Sequence, residues 1–523
     1  MDFSTSRTTF HPRRLFTLII ALSVLLLSLS SVGAQDGGVL RVGMNAPVVL
    51  DPALHTNDPE TALNRAIYDY LVEVRPDSTI APNLAASWVI SDDNLTYTFA
   101  LVEGVTFHDG SALTSADVVY TFNRLKEVGS PAVNLLGEFD VSAPDANTVV
   151  FTLTAVNADF LYGVAARQAL IIKDGAQEPN TLIDGDNPYA NFNGTGPFVL
   201  ESYSPGARAV FVRNENYWQD GAPLLAGLEH VYIDDVVAQV DALLSGEVDF
   251  IFKTPIQQID RLESAEGITV IQRATSQHPV IRLRTDAGFA GENVNVRQAL
   301  KHATDRTLLN DILLQGRGVV GHNDPIAPVF EFFYDSELED TPYDPARACE
   351  LLSEANIGTF EATLYAPNAF EYPDLAAVLQ QMWAETGCIN VDIQIREEGY
   401  YYDVSNPDNY FDVELGITGW GDRPTPQILL REAYIESGIA TGFNETRFAD
   451  PEVDALVAEA SQTTDEAARR EIYSQISAIF RDRGPIIIPY FAPLFGATSA
   501  NVQGLEMAPF PGLTDFRTVS LSS

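Results

Sequence analysis

The chain has 523 residues, 46% of them hydrophobic, and its 72 acidic residues outnumber its 31 basic ones, which gives a formal charge of −41 at pH 7. That length corresponds to about two to four domains, and the hydrophobic content is ordinary for a globular protein. The charge excludes a nucleic-acid-binding protein, because phosphate recognition needs a cationic face. It favours a protein that stays soluble outside the cell.

The N-terminus has the pattern of an export signal. Arg13-Arg14 precede a run without charge from Leu15 to Gln35, and the small residues Val32-Gly33-Ala34 provide a cleavage site. We therefore expect a signal peptide over residues 1–35, with the general secretory and twin-arginine routes both open. The alternative is an uncleaved anchor, since the run approaches the roughly 18–20 apolar residues of a membrane span. No cysteine lies at the cleavage site, so we expect no lipid tether there.

The first predicted elements are a strand over residues 39–42 and a helix after it. Asp58 is predicted to cap that helix with Pro59 at its first position, because aspartate suits an N-cap and proline suits the first turn. The apolar residues of the helix share one face: Leu63, Ala66, Ile67, Tyr70 and Leu71.

The next block combines strands with a turn that could be mistaken for chemistry. Thr114 and Asp117 have the spacing of a capping box, and residues 148–153 are typical of a strand. His108-Asp109 looks like an acid–base pair, but Gly110 directly behind it favours a turn.

The stretch from Asn193 to Phe252 reads as one continuous structural unit. A glycine-proline turn precedes a predicted hairpin, and Asp235 is predicted to cap a helix that Gly246 ends. Between these elements, Tyr217-Trp218 place two large rings that need a covering surface.

The second half alternates helices and strands. Helices are predicted over 294–303, after Asp344-Pro345 and around Leu375–Met382, followed by a strand over 390–396. This order predicts an α/β lobe with a partly parallel sheet. Two further helices and the strand-like segment 485–490 follow, which we expect to cross back to the first lobe.

The loop after a predicted strand at 411–417 has features suited to an extended ligand. Gly419 and Gly421 would let another backbone approach, Trp420 offers a flat apolar wall, and Asp422 could pair with an ammonium group. The alternative is a tight glycine-proline turn with a solvated aspartate. Arg423 could serve an anionic ligand or be merely exposed, and Tyr401 could add aromatic surface or pack at a strand edge.

Other chemistries find little support in the sequence. Cys349 and Cys388 are the only cysteines, and in an exported protein they form a disulfide candidate, with two buried thiols as the alternative. The histidines show no paired metal-binding spacing, and hydrolase, phosphate-loop and Cys-His motifs are absent. We predict no enzyme activity, no metal site and no cofactor.

Several motifs resemble the solute-binding proteins of ABC importers, in particular family 5, which binds oligopeptides, dipeptides, nickel chelates and some sugars. The chain carries G-T-G-P-F-x-L, R-N-x-x-Y-W and L-x-x-G-E-x-D in order within residues 194–249, and N-L-A-x-S-W, F-H-D-G and S-A-D-V-V-Y-T-F before them. The resemblance implies an α/β, two-lobed periplasmic-binding-protein fold of class II, cluster C type, with an extra small subdomain on lobe I.

The resemblance also implies a division of the chain and a set of site residues. We predict a signal peptide at 1–35, lobe I at 36–82, 192–278 and 484–523, its small subdomain at 83–191, and lobe II at 279–483. In peptide-binding members an aspartate after G-W holds the α-amino group, and Asp422 matches it. The loop after L-D-P lines the cleft in such members, which makes Thr56, Asn57 and Asp58 candidates, although Asp58 alone is better explained as a helix cap.

The implied function is capture of peptides by hinge closure and delivery to a membrane permease, by an exported monomer that is not lipid-anchored. Oligopeptides are favoured over dipeptides, because residues 371–374 lack the arginine that some dipeptide binders use for the ligand's carboxylate. The alternatives are the same role for a nickel chelate or an oligosaccharide, and a surface adhesion or sensory protein that reuses the fold.

Overall fold

A computed structural model describes residues 37–183 and 187–522. The predicted signal peptide lies outside them. The strands are β1 Val39–Met44, β2 Val72–Val74, β3 Ile80–Pro82, β4 Ala85–Ile90, β5 Thr96–Leu101, β6 Phe139–Asp145, β7 Thr148–Leu153, β8 Phe198–Ser204, β9 Arg208–Arg213, β10 Gly227–Tyr232, β11 Phe250–Ile251, β12 Ile268–Arg273, β13 His278–Leu283, β14 Val319–Val320, β15 Phe360–Pro367, β16 Ile389–Arg396, β17 Leu415–Trp420, β18 Ile486–Ile487, β19 Tyr490–Phe491, β20 Leu494–Ser499, β21 Val502–Gln503 and β22 Ser520–Leu521.

The α-helices are α1 Asp58–Ile67, α2 Ser115–Glu127, α3 Val133–Leu136, α4 Phe160–Val164, α5 Val236–Ser245, α6 Ile259–Glu263, α7 Val294–His302, α8 Arg306–Leu314, α9 Pro345–Glu354, α10 Tyr372–Glu385, α11 Glu398–Tyr401, α12 Pro426–Ala433, α13 Ser437–Thr441, α14 Pro451–Gln462 and α15 Glu466–Arg483. Within residues 37–183 and 187–522, none of these helices is both long and apolar enough to cross a membrane.

Lobe I is built on a seven-stranded sheet in the order β12-β20-β11-β1-β10-β9-β8. Strand β1 lies at its centre and pairs in parallel with β10 and β11, while the remaining neighbours are antiparallel. The predicted hairpin is present as β8 and β9. The apolar face of α1 packs on this sheet, where Leu63 and Ile67 are fully buried.

A four-stranded antiparallel sheet in the order β4-β5-β7-β6 forms the small subdomain. Helix α2 covers it, and its Phe122 meets Phe151 of β7 edge to face with ring centroids 4.8 Å apart. Offset and edge-to-face packing of this kind is favourable for aromatic pairs. The subdomain therefore has a core of its own beside that of lobe I.

Lobe II is built on a five-stranded sheet in the order β16-β15-β17-β13-β18. Strand β15 is parallel to β16 and β17, and β13 is antiparallel to β17 and β18, which gives the partly parallel sheet that the helix–strand alternation predicts. Cys349 of α9 and Cys388 before β16 form a disulfide, with Cα atoms 5.7 Å apart. Within the described part of lobe II, this bond thus links helix α9 covalently to the start of the edge strand β16.

Most of the predicted helix caps are present, and one is displaced. Asp235 accepts a hydrogen bond from the Ala238 N–H, and Gly246 ends α5 in a left-handed conformation with φ of 76°. The cap of α1 is Asn57 rather than the predicted Asp58, because the Glu60 carboxylate reaches back to the Asn57 N–H at 3.1 Å. The reciprocal arrangement moves the cap one residue earlier along the chain.

The chain crosses between the lobes before β13 and again near β19. The segment 484–523, predicted as lobe I, begins with β18, which still pairs with β13 in the lobe II sheet. Strand β20 then joins the lobe I sheet between β11 and β12.

The lobes also touch away from these crossings. Arg469 of α15 and Asp159 before α4 form an ion pair with an N–O distance of 2.5 Å, and both side chains are buried. The Ala158 N–H donates to the Ser461 carbonyl at 2.9 Å beside it. These contacts place the small subdomain against lobe II, so that the space between the lobes is closed on that side.

Candidate ligand-binding site between the lobes

A cavity of about 680 Å³ lies between the two lobes. Lobe I and its subdomain contribute one wall and the loop after β17 contributes part of the other. Its lining includes three aromatic side chains and nine charged ones: Tyr162, Phe443 and Phe510, then Arg65, Glu73, Arg75, Arg167, Asp422, Arg423, Glu432, Glu506 and Asp515. Small-molecule sites commonly have about 300–1,000 Å³, so this cavity has the size of a ligand site.

Strand β17 brings Asp422 to the cavity. It pairs with β13 in a register that ends at Trp420 opposite His278, and the chain then leaves the sheet as a loop until α12 begins at Pro426. Asp422 therefore comes directly after the edge of a rigid sheet, where loop residues are well placed to form a site.

Ser276, just before β13, fixes the orientation of Asp422. The Ser276 N–H and hydroxyl donate to Asp422 Oδ1 at 2.7 and 2.9 Å, and the Arg423 N–H donates to the same hydroxyl at 2.8 Å. Among the described residues, none donates a hydrogen bond to Asp422 Oδ2. One carboxylate oxygen is thus held by the protein, and the other is left for a partner in the cavity.

Burial raises the pKa of Asp422 above its ordinary value near 3.8, although the Ser276 hydrogen bonds oppose that shift. Desolvation disfavours a charged carboxylate, and a nearby positive group restores the charged form. A ligand ammonium at Oδ2 would supply that positive group. The site can therefore favour a cationic group over a neutral one.

Arg423 lines the cavity but its charge is already compensated. One of its terminal nitrogens lies 3.2 Å from Glu432 Oε2, and its guanidinium carbon lies 5.8 Å from the centre of the Trp420 ring. Arg423 is therefore half-buried and paired, rather than simply exposed.

The other predicted features of this loop lie elsewhere. A Cβ at Gly419 would lie 1.9 Å from the Tyr372 hydroxyl oxygen, so a protein side chain already occupies the space beside that glycine. Trp420 is 8% exposed and packs in the core of lobe II, and its neighbour Phe443 lines the cavity in its place. Gly421 is exposed, but it is not part of the cavity lining.

Tyr401 does not offer aromatic surface to the cavity. It is fully buried in lobe II, and its hydroxyl points at Gly416 and Arg282. The prediction that Tyr401 contacts the ligand is therefore wrong, because the ring lies beneath the sheet instead of at its end.

The loop before α1 contributes one of the three predicted residues. Thr56 lines the cavity, and its carbonyl accepts a hydrogen bond from the Arg167 guanidinium at 2.8 Å. Asn57 caps α1, and Asp58 is buried in an ion pair with Lys253 at 2.8 Å. Asp58 also accepts from the Gly512 N–H, so it holds the C-terminal segment rather than capping the helix.

Two residues of the cavity region have no counterpart among the sequence predictions. Ser276 could have been found as the polar residue before the buried strand β13, but only with knowledge that β13 pairs with β17. Arg167 has no motif around it, and its place in the cavity follows only from the way the subdomain faces lobe II.

His108 and Asp109 take the structural roles that the turn favours. The His108 ring nitrogen Nε2 lies 3.0 Å from the Gly196 carbonyl oxygen, and Asp109 pairs with Lys173 at 2.7 Å. In the part of the chain that the structure describes, no group of three or more histidine, cysteine, aspartate or glutamate side chains could hold a metal ion.

Comparison with known proteins places the chain in a family. The model of the bacterial extracellular solute-binding proteins, family 5 Middle, matches residues 79–439. Heme-binding protein A of Haemophilus influenzae is 29% identical over 509 residues, covering 91% of either chain. Di/tripeptide-binding protein 1 of Pseudomonas aeruginosa is 29% identical over 512 residues, covering 91% of this chain and 93% of its own.

A solved structure of HbpA2 from Haemophilus parasuis superposes with a TM-score of 0.80 at 26% identity, covering 93% of this chain and all of the other. The two-lobed α/β fold is therefore shared with proteins that bind solutes and carry out no reaction on them. The family match, the fold and the cavity between the lobes agree: the chain belongs to the family 5 extracellular solute-binding proteins of ABC importers.

Proposed function

We propose that this protein captures peptides in the cavity between its lobes and delivers them to a membrane permease. Short oligopeptides are the proposed ligands, with their α-ammonium group at Asp422. The protein would act outside the cytoplasm as a monomer, after removal of residues 1–35 and without an N-terminal lipid anchor.

The observation that carries this proposal is the half-satisfied carboxylate of Asp422. Its Oδ1 is occupied by Ser276, and its Oδ2 has no donor among the described residues. A charge-assisted hydrogen bond from an ammonium group would complete it, and such bonds are about twice as strong as neutral ones. The di/tripeptide-binding relative from Pseudomonas aeruginosa supports the same class of ligand.

Hinge closure explains how binding would be signalled. A ligand that contacts both walls of the cavity stabilises the closed form by the difference between its contacts in the closed and open states. The ion pair between Asp159 and Arg469 contributes to the closed form from the protein side. A permease could then distinguish loaded from empty protein by its shape.

Mass spectrometry of the molecules released from purified protein tests the proposal. The chain would be expressed from Asp36 onward, purified without added ligand and denatured. We expect a set of short peptides. A haem, a metal chelate or a sugar would contradict the peptide assignment while leaving the transport role, and an empty protein would be tested by calorimetry against a library of di- to pentapeptides.

The adhesion or sensory alternative requires residues 1–35 to remain attached. N-terminal sequencing of the exported protein distinguishes the two outcomes. A start near Gln35 or Asp36 supports the proposed importer role, and a retained N-terminal run contradicts it.

A further inference from the structure

The arginines that line the cavity differ in whether their charge is compensated. Arg65 lies 3.3 Å from Glu73, and Arg423 lies 3.2 Å from Glu432. Arg75 and Arg167 have no carboxylate within 4.0 Å among the described residues, but Arg75 is exposed and Arg167 is half-buried. Arg167 is therefore the uncompensated cationic group that the cavity wall itself encloses.

Arg167 is held in a defined position. One terminal nitrogen donates to the Thr56 carbonyl at 2.8 Å, and the guanidinium carbon lies 4.1 Å from the centre of the Phe510 ring. Its Nε and its other terminal nitrogen have no acceptor among the described residues. These two nitrogens form one edge of the guanidinium, which matches the two oxygens of a carboxylate.

The surroundings of Arg167 favour an anion as the missing partner. Burial and the nearby guanidinium of Arg423 lower the pKa of Arg167 below its ordinary value, although the more distant carboxylates of Asp58 and Glu60 oppose that shift. Glu432 already compensates Arg423, whereas Arg167 has no carboxylate at salt-bridge distance among the described residues. A ligand anion beside Arg167 would offset the cost of enclosing its charge.

We propose that Arg167 binds the C-terminal carboxylate of the captured peptide. This inference rests on the proposed peptide function and sharpens it, because Asp422 and Arg167 would hold opposite ends of one zwitterionic ligand from opposite walls. Arg423 follows Asp422 in the chain and is close enough to Arg167 to lower its pKa, so the two walls approach each other here. Ligand length is then limited at both termini, and lobe closure requires both contacts.

A purely structural role is the alternative for Arg167, since it also links Thr56 to Phe510. Such a role would affect stability and all ligands alike. The test therefore compares a peptide with its own C-terminal amide, which removes the negative charge and keeps the rest of the molecule.

The experiment uses calorimetry on the mature chain with the tightest-binding member of a di- to pentapeptide library and its C-terminal amide. We expect the wild type to prefer the acid by about 10- to 150-fold, the size of a charged hydrogen-bonded contact. Arg167→Gln should abolish that preference by weakening the acid alone, and Arg167→Lys should restore part of it. Arg470→Gln is the control and should keep the preference, because Arg470 is exposed and lies outside the cavity lining.

Two results overturn the inference while leaving peptide capture intact: equal binding of acid and amide by the wild type, or an unchanged acid preference in Arg167→Gln. If no library member binds, the proposed function fails, and glutarate becomes the probe for Arg167. A rise in melting temperature with glutarate that is lost in Arg167→Gln but kept in Arg470→Gln supports an anion site. No rise in the wild type overturns it.

Discussion

Two aspartates, one buried in the core of lobe I and one half-buried between the lobes, differ in how their carboxylate oxygens are hydrogen-bonded. Asp69 accepts hydrogen bonds from Thr195 at 3.0 Å, Tyr217 at 3.0 Å and Trp218 at 2.9 Å, which occupy both carboxylate oxygens. Asp422 has hydrogen bonds to Oδ1 only, all from Ser276. Burial raises the pKa of both.

A raised pKa does not by itself identify a binding residue. Perturbed groups occur both in functional sites and in structural networks. The distinguishing features of Asp422 are its uncommitted oxygen and the cavity that it lines. Tyr217 and Trp218, in contrast, belong to the R-N-x-x-Y-W motif but do not line the cavity. Their polar atoms donate to Asp69 instead.

The largest expected effect is the loss of stability on replacing Asp69. Asp69→Ala should lower the free energy of unfolding by about 2–4 kcal/mol, because it leaves three hydrogen-bond donors without an acceptor. Urea unfolding followed by tryptophan fluorescence measures it. Asp220→Ala, at an exposed position, is the control and should change stability by less than about 0.5 kcal/mol. An equally small loss in Asp69→Ala would contradict the structural assignment.

The second effect is on affinity. Asp422→Ala should weaken a cognate peptide by about 1.5–3 kcal/mol, because the charge-assisted bond to its ammonium is lost. Glu506→Ala is the control, since that side chain also lines the cavity but is 69% exposed. Unchanged affinity in calorimetry for Asp422→Ala would remove Asp422 from the site.

The smallest effect concerns stability and pH. Burial raises the pKa of Asp422, so the folded protein binds a proton at this carboxyl more tightly than the unfolded chain does. The resulting stabilisation of the unliganded protein is complete below the ordinary pKa near 3.8 and is lost as pH rises through the raised pKa. At neutral pH the charged carboxylate of Asp422 therefore lowers the stability of the unliganded protein. Asp422→Asn should leave the unliganded protein equally stable or more stable by up to about 1 kcal/mol, as is common at binding sites.

The same shift gives the opposite sign for binding. A peptide ammonium needs the charged carboxylate, so affinity should fall as pH is lowered through the raised pKa of Asp422, and the Asp422→Asn protein should lack that dependence. Calorimetry across the acidic range measures both. A wild-type affinity that stays constant over that range would contradict the proposal that the peptide ammonium binds the charged carboxylate of Asp422.

Local structure could largely be predicted from the sequence, because it depends on neighbouring residues. The strand Thr148–Leu153 and the capping box at Thr114 and Asp117 are confirmed with their predicted residues. The strand predicted at 411–417 instead spans Leu415–Trp420, since Asn409 holds the preceding residues in a turn through its bond to the Phe411 N–H.

The candidate site could be predicted only in the part that one loop carries. Asp422 follows from its position after Gly-Trp-Gly, but its partner Ser276 lies 146 residues earlier in the chain. Arg167 enters the cavity because the subdomain faces lobe II, and no residue near it in the sequence signals that contact. Tyr401 ends helix α11 and is buried against Gly416 of β17, a contact that its neighbours in the sequence do not indicate.

The most direct test of the account is whether Asp422 and the ligand's ammonium act as one interaction. Calorimetry would compare a bound peptide and its N-acetyl form, each with the wild type and with Asp422→Ala. We predict that either change alone weakens binding by about 1.5–3 kcal/mol and that the second adds little once the first is made. Additive losses, or full affinity for the N-acetyl peptide, would contradict the assignment of Asp422.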